Sequence, residues 1–333
     1  MTTLVSERTT EQAMVPTASS AILVPLDGST EAEQAVPYAQ ALVPPDGELL
    51  LLRVVRGLEA FDVWRSSRLA DEPVQATAED VATSYLMPIA ERLRQAGINA
   101  QIAVTVGDPA EEILRIAEDR GVELVVMTTH GRGAMGRILF GSVADRVARH
   151  GTRPTLLLRS HTPYALPDRL VVPLDGSPLA EEALPVASRV AGRLGVSVRL
   201  VRIVDLDAIL HEIWLDRHQD LFQLPKDEAY REARARCERA AAAYLADQGE
   251  RLQKLGVATE WEVQTGTPVF ALLDLLRPGD LLVMTSHGLG GVRRWWIGSV
   301  AEKLVREATV PVLLVRPDQD AVVGHQEGTA QIK

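Results

Sequence analysis

The chain contains one sequence design twice, and this repeat limits the folds open to it more than any other feature. Residues 21–39, AILVPLDGSTEAEQAVPYA, return at 169–187 as RLVVPLDGSPLAEEALPVA. Residues 124–159 return at 281–316 with most apolar positions and a Gly-Ser pair at matching places. The first pair is offset by 148 residues and the second by 157, so the second copy carries nine extra residues in its middle. In a chain of 333 residues, the repeat predicts two domains of one fold, each large enough to bury a core.

Each copy alternates short apolar runs with helical patterns. In the first copy the runs are ILVPL, LLLLRVV, AQIAVTV, LVVMTT and TLLLR, and the helical patterns fall at 30–43, 75–97, 109–120 and 141–150. In the second copy, strands are expected near 169–174, 198–204, 258–264, 280–286 and 311–315. Such runs are typical of strands buried on both faces. The alternation predicts an α/β fold in which each domain is a doubly wound parallel sheet with helices on both faces.

The repeat also gives the expected domain boundaries. Residues 1–18 and 318–333 carry little apolar surface to bury and are expected to be disordered tails. The other expected boundaries are domain one at 19–160, a link at 161–167, domain two at 168–317 and, within it, an insertion near 205–235. We expect the insertion to be a lid-like segment that leads into a long amphipathic helix.

Composition excludes several classes of function. The chain has 35 Lys and Arg against 45 Asp and Glu, a formal net charge of -10, and no basic block. An acidic chain of this kind is a poor candidate for binding DNA or RNA irrespective of sequence. Cys237 is the single cysteine, which rules out an internal disulfide and fits a reducing compartment. Since neither a signal peptide nor a membrane-spanning run is evident, we expect a soluble cytoplasmic protein without membrane or nucleic-acid partners.

The stretch HGRGAMGRILFGS at 130–142 contains G-x-G-x-x-G, the pattern of dinucleotide-binding loops. That loop should follow the first strand of its unit, with an acidic residue about 20 positions later. Here it follows the fourth predicted strand. The second copy, HGLGGVRRWWIGS, has Arg293 where the third glycine should be. The dinucleotide interpretation therefore fails.

Both copies keep a different pattern, His-Gly, nine residues, then Gly-Ser. The residues concerned are Gly131, Gly141 and Ser142 in the first copy and Gly288, Gly298 and Ser299 in the second. A glycine after a strand allows backbone to approach a ligand closely. A Gly-Ser pair that opens a helix offers N–H groups and the positive end of the helix dipole to an anion. The pattern therefore indicates a phosphate site, and the alternative is a tight strand–helix turn in which the glycines only permit close packing.

An aspartate follows the first strand of each copy in the sequence VPLDGS. Asp27 and Asp175 would lie at the carboxyl end of that strand, where strand order reverses in a doubly wound sheet and ligands bind. An aspartate there can accept a hydrogen bond from an exocyclic amine or a ribose hydroxyl. The alternative role is to cap the following helix, and we favour contact with a ligand.

On these residues the chain resembles a tandem universal stress protein. The ATP-binding branch of that family carries G-x-x-G, nine residues, then G-[ST]; here the second glycine, the spacing and the Gly-Ser pair match twice, while Thr128 and Thr285 replace the first glycine. The resemblance implies a five-stranded parallel sheet in order 3-2-1-4-5 in each domain. It also implies pairing of the two domains through 155–159 and 311–315 as an internal pseudo-dimer.

The resemblance further implies which residues bind ATP. The adenine pocket would be Pro25, Leu26, Asp27 and Val54, and the ribose and phosphates would meet Met127, Thr128, Gly131, Gly141, Ser142 and Val143. In the second copy the matching set is Pro173, Leu174, Asp175, Ile203, Met284, Thr285, Gly288, Gly298, Ser299 and Val300. Mg²⁺ or Mn²⁺ would accompany the phosphates without a dedicated protein ligand cluster.

We therefore expect an ATP-binding stress-response or signalling protein in which nucleotide occupancy regulates conformation or assembly. Neither glycine loop contains the lysine of a P-loop, and no serine elbow surrounds Ser142 or Ser299, so no catalytic residue is assigned. The alternatives are a nucleotide-free interaction scaffold with degenerate sites and, less favoured, a slow ATPase. The sequence does not identify the protein partner, and it leaves open whether two whole chains form a further homodimer.

Overall fold

The computed structural model describes residues 20–57, 77–129, 141–159, 165–205, 209–210, 226–286 and 298–316. Both predicted tails, most of the predicted insertion, residues 161–164 of the link and the loops that contain Gly131 and Gly288 lie outside this described part. In the described part, each half follows the predicted alternation of strands and helices.

The first half contains five strands and the helices between them. The strands are β1 (Ala21–Pro25), β2 (Glu48–Val55), β3 (Asn99–Val106), β4 (Leu124–Thr128) and β5 (Thr155–Leu158). The described helices are α1 (Thr30–Glu33), α2 (Ala35–Leu42), α3 (Ala78–Gln95), α4 (Pro109–Asp119) and α5 (Ser142–His150).

The second half repeats this order. Its strands are β6 (Arg169–Pro173), β7 (Ser197–Val204), β8 (Thr259–Thr265), β9 (Asp280–Thr285) and β10 (Val312–Val315). Its principal helices are α6 (Pro178–Glu181), α7 (Ala183–Leu194), α8 (Lys226–Lys254), α9 (Pro268–Leu275) and α10 (Ser299–Glu307). Helix α8 is the long helix expected after the insertion, and it packs against β7 and β8.

The helical pattern expected as one helix at 30–43 is two helices, because a proline interrupts it. The break at Gln34 lies three residues before Pro37, whose ring crowds the carbonyl group four residues earlier and which has no N–H to donate to it. The second half has the same break at Glu182, three residues before Pro185. Proline is tolerated in the first turn of the helix that follows, so each helix restarts immediately.

All ten strands form one sheet in the order β3-β2-β1-β4-β5-β10-β9-β6-β7-β8. Each half therefore has the predicted order 3-2-1-4-5. The predicted pairing through the last strands is also confirmed, since β5 and β10 are antiparallel neighbours, with Leu156 opposite Leu313. All other strand pairs are parallel. The two expected sheets are thus joined into one.

Alternate residues of each strand face two different helical layers. Ile22 and Val24 point toward the layer that contains α2 and α3, and Leu23 points toward the layer that contains α4 and α5. The second half buries its strands in the same way under α7 and α8 on one face and α9 and α10 on the other. Because both faces of the central strands are covered, those strands read as continuous apolar runs, whereas the edge strand β8, TEWEVQT, is largely polar and only partly buried.

Helices α5 and α10 meet across the junction of the two halves. Arg149 binds Asp145 on its own helix at 2.9 Å and Glu302 of the other half at 2.8 Å. Arg159 donates to the carbonyl group of Ala308 at 2.9 Å, and its burial lowers its pKa. The junction is thus made by backbone pairing of two strands and by charged groups on the helices beside them.

Candidate functional site

The first part of the candidate site is a turn directly after β1. The Oδ1 atom of Asp27 accepts hydrogen bonds from the backbone N–H of Ser29 at 3.0 Å and from its hydroxyl at 2.5 Å. The Ser29 hydroxyl oxygen accepts the N–H of Ala32 at 3.2 Å and so caps α1. Gly28, between them, has a φ of 86°, a conformation that glycine adopts readily. The serine is therefore the helix cap, and the aspartate holds that serine in place.

The second half has the same turn after β6. Asp175 Oδ1 accepts the N–H of Ser177 at 2.9 Å and its hydroxyl at 2.6 Å, and the Ser177 oxygen accepts the N–H of Ala180 at 3.1 Å. Gly176 has a φ of 85°. A Cβ atom at Gly176 would lie 2.9 Å from Nη1 of Arg202, so the guanidinium group packs directly against the turn.

A tyrosine and a glutamate lie beside each turn, and neither was predicted from the sequence. The hydroxyl of Tyr85, on α3, donates to Glu33 Oε1 at 3.0 Å. Burial, followed by the negative charge of Glu33, raises the pKa of Tyr85 well above its ordinary value of 10.0. The negative charge of Asp27 raises this pKa further, and the positive charge of Arg53 lowers it.

The second half repeats this group of side chains. The hydroxyl of Tyr244, on α8, donates to Glu181 Oε1 at 3.0 Å, and burial raises the pKa of Tyr244. The guanidinium group of Arg202 lies 5.0 Å from the centre of the Tyr244 ring. The pair Glu33 with Glu181 follows from the sequence repeat, which is the signal that would have found it. Arg53 and Arg202 correspond through strand register, since each follows the residue that pairs with the last proline of β1 or β6. The two tyrosines lie on helices that follow their aspartate turns at different distances along the chain. The sequence repeat alone therefore does not pair Tyr85 with Tyr244.

The second part of the site is the start of α5 and of α10. The N–H of Gly141 donates to the carbonyl oxygen of Thr129 at 2.8 Å, and the N–H of Gly298 donates to that of Ser286 at 2.7 Å. Each glycine is the N-cap of its helix and has no side chain with which to cap the first turn. Each helix thus begins at the serine of its Gly-Ser pair. A helix N-terminus without a side-chain cap favours an anion, and the phosphate role of these two starts stays a prediction.

A cleft of about 350 Å³ opens beside the start of α5. Its lining consists of Arg56, Gly107, Asp108, Pro109, Ala110, Ser142, Val143 and Arg146. Arg146 binds Asp108 at 2.8 Å and Glu111 at 3.0 Å. Asp108 caps α4 by accepting the N–H groups of Ala110 and Glu111, both at 3.1 Å, and chiefly the Glu111 bond lowers its pKa. The sequence repeat did not indicate Arg56 or Arg146.

The structure places the described residues of the predicted ATP site at the carboxyl ends of the central strands. Leu26 and Leu174 are buried in the layer of α2, α3, α7 and α8, so only their backbone can face a ligand at this edge. On the other face lie the buried side chains of Val54, Met127 and Met284 and the partly buried Val143 and Ile203. Thr128 and Thr285 are buried at the strand ends, while Ser142, Ser299 and Val300 are exposed. Gly131 and Gly288 lie outside the described residues, so their predicted role stays a prediction.

Metal-ligand clusters and membrane spans were searched for in the described part of the chain. No group of three or more His, Cys, Asp or Glu side chains there is arranged to hold a metal ion. No helix in the same part is long and apolar enough to cross a membrane.

Comparison with known proteins identifies relatives along most of the chain. The model of the universal stress protein family matches it twice, at residues 19–159 and 167–316. A universal stress protein of Mycolicibacterium smegmatis is 27% identical over 304 residues, which cover 89% of this chain and 97% of the relative. A universal stress protein of Mycobacterium tuberculosis is 27% identical over 325 residues, covering 91% of this chain and 96% of the relative.

A solved structure has the same arrangement of elements. The crystal structure of a universal stress protein from Archaeoglobus fulgidus covers 90% of this chain and 98% of its own, with a TM-score of 0.61 and 21% identity. At that identity, the likeness establishes the fold.

Proposed function

Because this chain belongs to the universal stress protein family, we propose that it is a stress-response protein that binds ATP in both halves. ATP occupancy would regulate its conformation or its assembly with a protein partner. The observation that carries the proposal is the duplicated arrangement of an aspartate turn and an uncapped helix start. In each half both lie at the edge where strand order reverses, since β1 pairs with β2 and β4, and β6 pairs with β7 and β9.

The base would bind beside the aspartate turn. Asp27 and Asp175 are half-buried, and Oδ1 of each is already oriented by a serine, so the carboxylate is held in one position. A fixed carboxylate at this place can accept a hydrogen bond from the exocyclic amine of adenine. A preorganised acceptor of this kind binds more tightly because no side-chain freedom is lost on binding.

The phosphates would bind at the starts of α5 and α10, where Ser142 and Ser299 offer a hydroxyl group and no side chain caps the first-turn N–H groups. A divalent cation, Mg²⁺ or Mn²⁺, would be carried mainly by the phosphates. Mg²⁺ commonly keeps several waters and uses substrate phosphates as ligands, so a dedicated cluster of protein ligands is not needed for this mode of binding.

We propose a regulatory role and not a metabolic reaction. Within the described part of the chain, the carboxylate that lines the cleft, Asp108, is engaged in capping α4 and in binding Arg146. A general base must reach the proton that it removes from the substrate, and the Asp108 carboxylate already binds the first-turn N–H groups of α4 and Arg146. We accordingly expect any ATP hydrolysis to be slower than about 1 s⁻¹, the lower end of ordinary turnover numbers.

The test introduces a negative charge at the phosphate end of each site. In a Ser142→Asp, Ser299→Asp double variant, an acidic side chain stands in the first turn of α5 and α10. Aspartate there stabilises a helix through its dipole but repels phosphate, so the protein should fold while ATP affinity falls by at least about tenfold. Isothermal titration calorimetry measures the affinity, and chromatography of nucleotide released from heat-denatured wild-type protein identifies any adenine nucleotide carried through purification.

A matched control is Ser84→Asp, the same substitution on an exposed position of α3, in the opposite helical layer. It should leave ATP binding unchanged. Absence of adenine nucleotide together with absence of ATP binding by the wild type would overturn the proposal and favour a nucleotide-free interaction scaffold. Equal ATP affinity in the wild type and the Ser142→Asp, Ser299→Asp variant would overturn the assigned phosphate site.

The cellular setting is part of the same proposal. We propose that the protein acts in the cytoplasm, a setting supported by its single cysteine. There the halves joined through β5 and β10 form the internal pseudo-dimer, and a protein partner or a second copy of the chain would respond to the nucleotide.

A further inference from the structure

The two halves differ in charge at the residue that follows their second strand. Arg56 follows β2 and Asp205 follows β7. They occupy the same place in the fold, because the residue before each accepts a matching backbone hydrogen bond. The Gly107 N–H donates to the Val55 carbonyl group and the Gly266 N–H to the Val204 carbonyl group, both at 3.0 Å.

In the first half this position lines the cleft beside α5. Arg56 shares that cleft with Ser142, at the start of α5, and with Pro109 and Ala110, at the start of α4. The positive ends of two helices therefore face the same space as the guanidinium group. Arg56 is exposed, and no ion pair joins it to any other residue that the structure describes.

The other arginine of this cleft is differently placed. Arg146 already forms ion pairs with Asp108 and Glu111, at 2.8 Å and 3.0 Å. Its charge is thus balanced by two carboxylates before any ligand arrives. Among the described residues that line this cleft, Arg56 is the cation without an ion pair to another described residue.

In the second half the corresponding positions carry a different set of groups. Asp205 is half-buried where the first half has Arg56. Thr267 is the N-cap in place of Asp108, and Lys303 stands in place of Arg146. Phe270, which is 66% exposed, replaces Glu111. The position that carries a guanidinium group in the first half therefore carries a carboxylate in the second half.

We propose that this position determines which nucleotide each half prefers: Arg56 makes the first half the polyphosphate site, and Asp205 makes the second half favour nucleotides with fewer phosphate charges. The inference rests on the proposed nucleotide function and adds a specificity to it. A guanidinium group binds phosphate oxygens in charge-assisted, often bidentate hydrogen bonds, whereas a carboxylate at the same place repels them. The effect grows with the charge of the ligand, so it separates ATP from AMP.

The experiment measures each half separately in the full-length protein. Photolabelling with 8-azido-ATP and with 8-azido-AMP, followed by mass spectrometry of the labelled peptides, gives a half-saturation concentration for each half. In the wild type, 8-azido-ATP should saturate the first half at a concentration about tenfold lower than the second, and 8-azido-AMP should show a smaller difference.

Two substitutions at the equivalent positions give the decisive comparison. Arg56→Asp should raise the 8-azido-ATP half-saturation concentration of the first half by about tenfold or more and that of 8-azido-AMP by less. Asp205→Arg should lower the 8-azido-ATP half-saturation concentration of the second half. Asp205→Asn, which removes the charge with little change of shape, should shift it in the same direction by a smaller factor and serves if the arginine variant does not fold.

Arg120→Asp is the matched control, because Arg120 is an exposed arginine at the opposite end of α4. It changes the net charge equally and should leave both halves unchanged. Labelling of neither half by either probe would overturn the proposed nucleotide function itself. The specificity inference alone would be overturned if both halves were labelled and the half-saturation concentrations stayed unchanged in Arg56→Asp, Asp205→Arg and Asp205→Asn.

Discussion

The groups around each aspartate turn come from parts of the chain that are distant in sequence. The turn itself is encoded locally, since VPLDGS supplies the acceptor, the glycine and the capping serine within a few residues. Tyr85, which donates to Glu33, comes from α3, and Arg53, whose charge acts on the Tyr85 phenol, comes from β2. Their role was not predicted because strand and helix patterns indicate which face is buried but not which polar side chains meet at an edge.

A Tyr85→Phe, Tyr244→Phe double variant should change how stability depends on alkaline pH. The folded state raises the pKa of both phenols, so their contribution is fully present below the unfolded-state value of about 10 and is lost as the pH rises above it. Wild-type stability should therefore fall steeply between about pH 10 and about pH 12, and that of the double variant less steeply. Urea unfolding followed by circular dichroism at several pH values measures the slope.

The control for this experiment is Leu255→Ala, which shortens an exposed side chain that does not titrate. Its slope should match that of the wild type. Equal slopes for the wild type and the Tyr85→Phe, Tyr244→Phe variant would contradict the assignment of the two buried phenols.

At the scale of single elements, helix starts follow from local sequence signals, and Pro37 and Pro185 each follow a break between two helices, whereas Pro88 lies within the continuous helix α3. Helix α4 begins where the sequence places Asp108 before Pro109, and the aspartate caps it. Helix α3 begins after Thr77, whose hydroxyl oxygen accepts the N–H of Asp80 at 3.1 Å while the Asp80 carboxylate accepts the N–H of Thr77 at 2.8 Å. Such reciprocal caps act within four residues, which is why they are recoverable from sequence.

Removing the side-chain cap of α3 should lower the free energy of unfolding by a moderate amount. Thr77→Ala is expected to lower the free energy of unfolding by about 1 kcal/mol, because a first-turn N–H loses its acceptor. Thr77→Ser retains the hydroxyl oxygen and should stay close to the wild type. Urea unfolding of the three proteins gives the comparison, and a Thr77→Ser variant as unstable as Thr77→Ala would show that the methyl group matters and not the cap.

At the scale of the whole molecule, the halves are joined by one strand pair and by the helices that carry the proposed phosphate sites. Arg316 extends this junction, donating to Ser286 Oγ at 3.1 Å and to the carbonyl group of Ala148 in the other half, and burial lowers its pKa to about 10. On the opposite face, Tyr38 donates to the carbonyl group of Ala165 at 2.6 Å. These contacts hold the two halves together, so the two proposed nucleotide sites lie at strand ends of one continuous sheet.

The ion pair between α5 and α10 should couple the halves measurably. A double-mutant cycle of Arg149→Ala and Glu302→Ala is expected to give a coupling free energy of roughly 0.5–1 kcal/mol, because both side chains are partly shielded and Arg149 is only 18% exposed. The more exposed pair of Arg115 and Asp119, within α4, should give a smaller coupling. Additive effects of Arg149→Ala and Glu302→Ala would show that the contact does not hold the junction together.

The sequence by itself determined the duplicated design, the order of strands and helices, the aspartate turns and the Gly-Ser helix starts. Each of these rests on short-range physics: the period of apolar residues, the caps, and glycine where the backbone requires it. The resemblance that the sequence carries supplied the strand order and the pairing through the last strands. Only the tertiary structure decided which distant side chains meet, such as Arg56 with the start of α5, or Tyr85 with Glu33. Those meetings depend on sheet register and helix packing, which bring together residues that no local pattern relates.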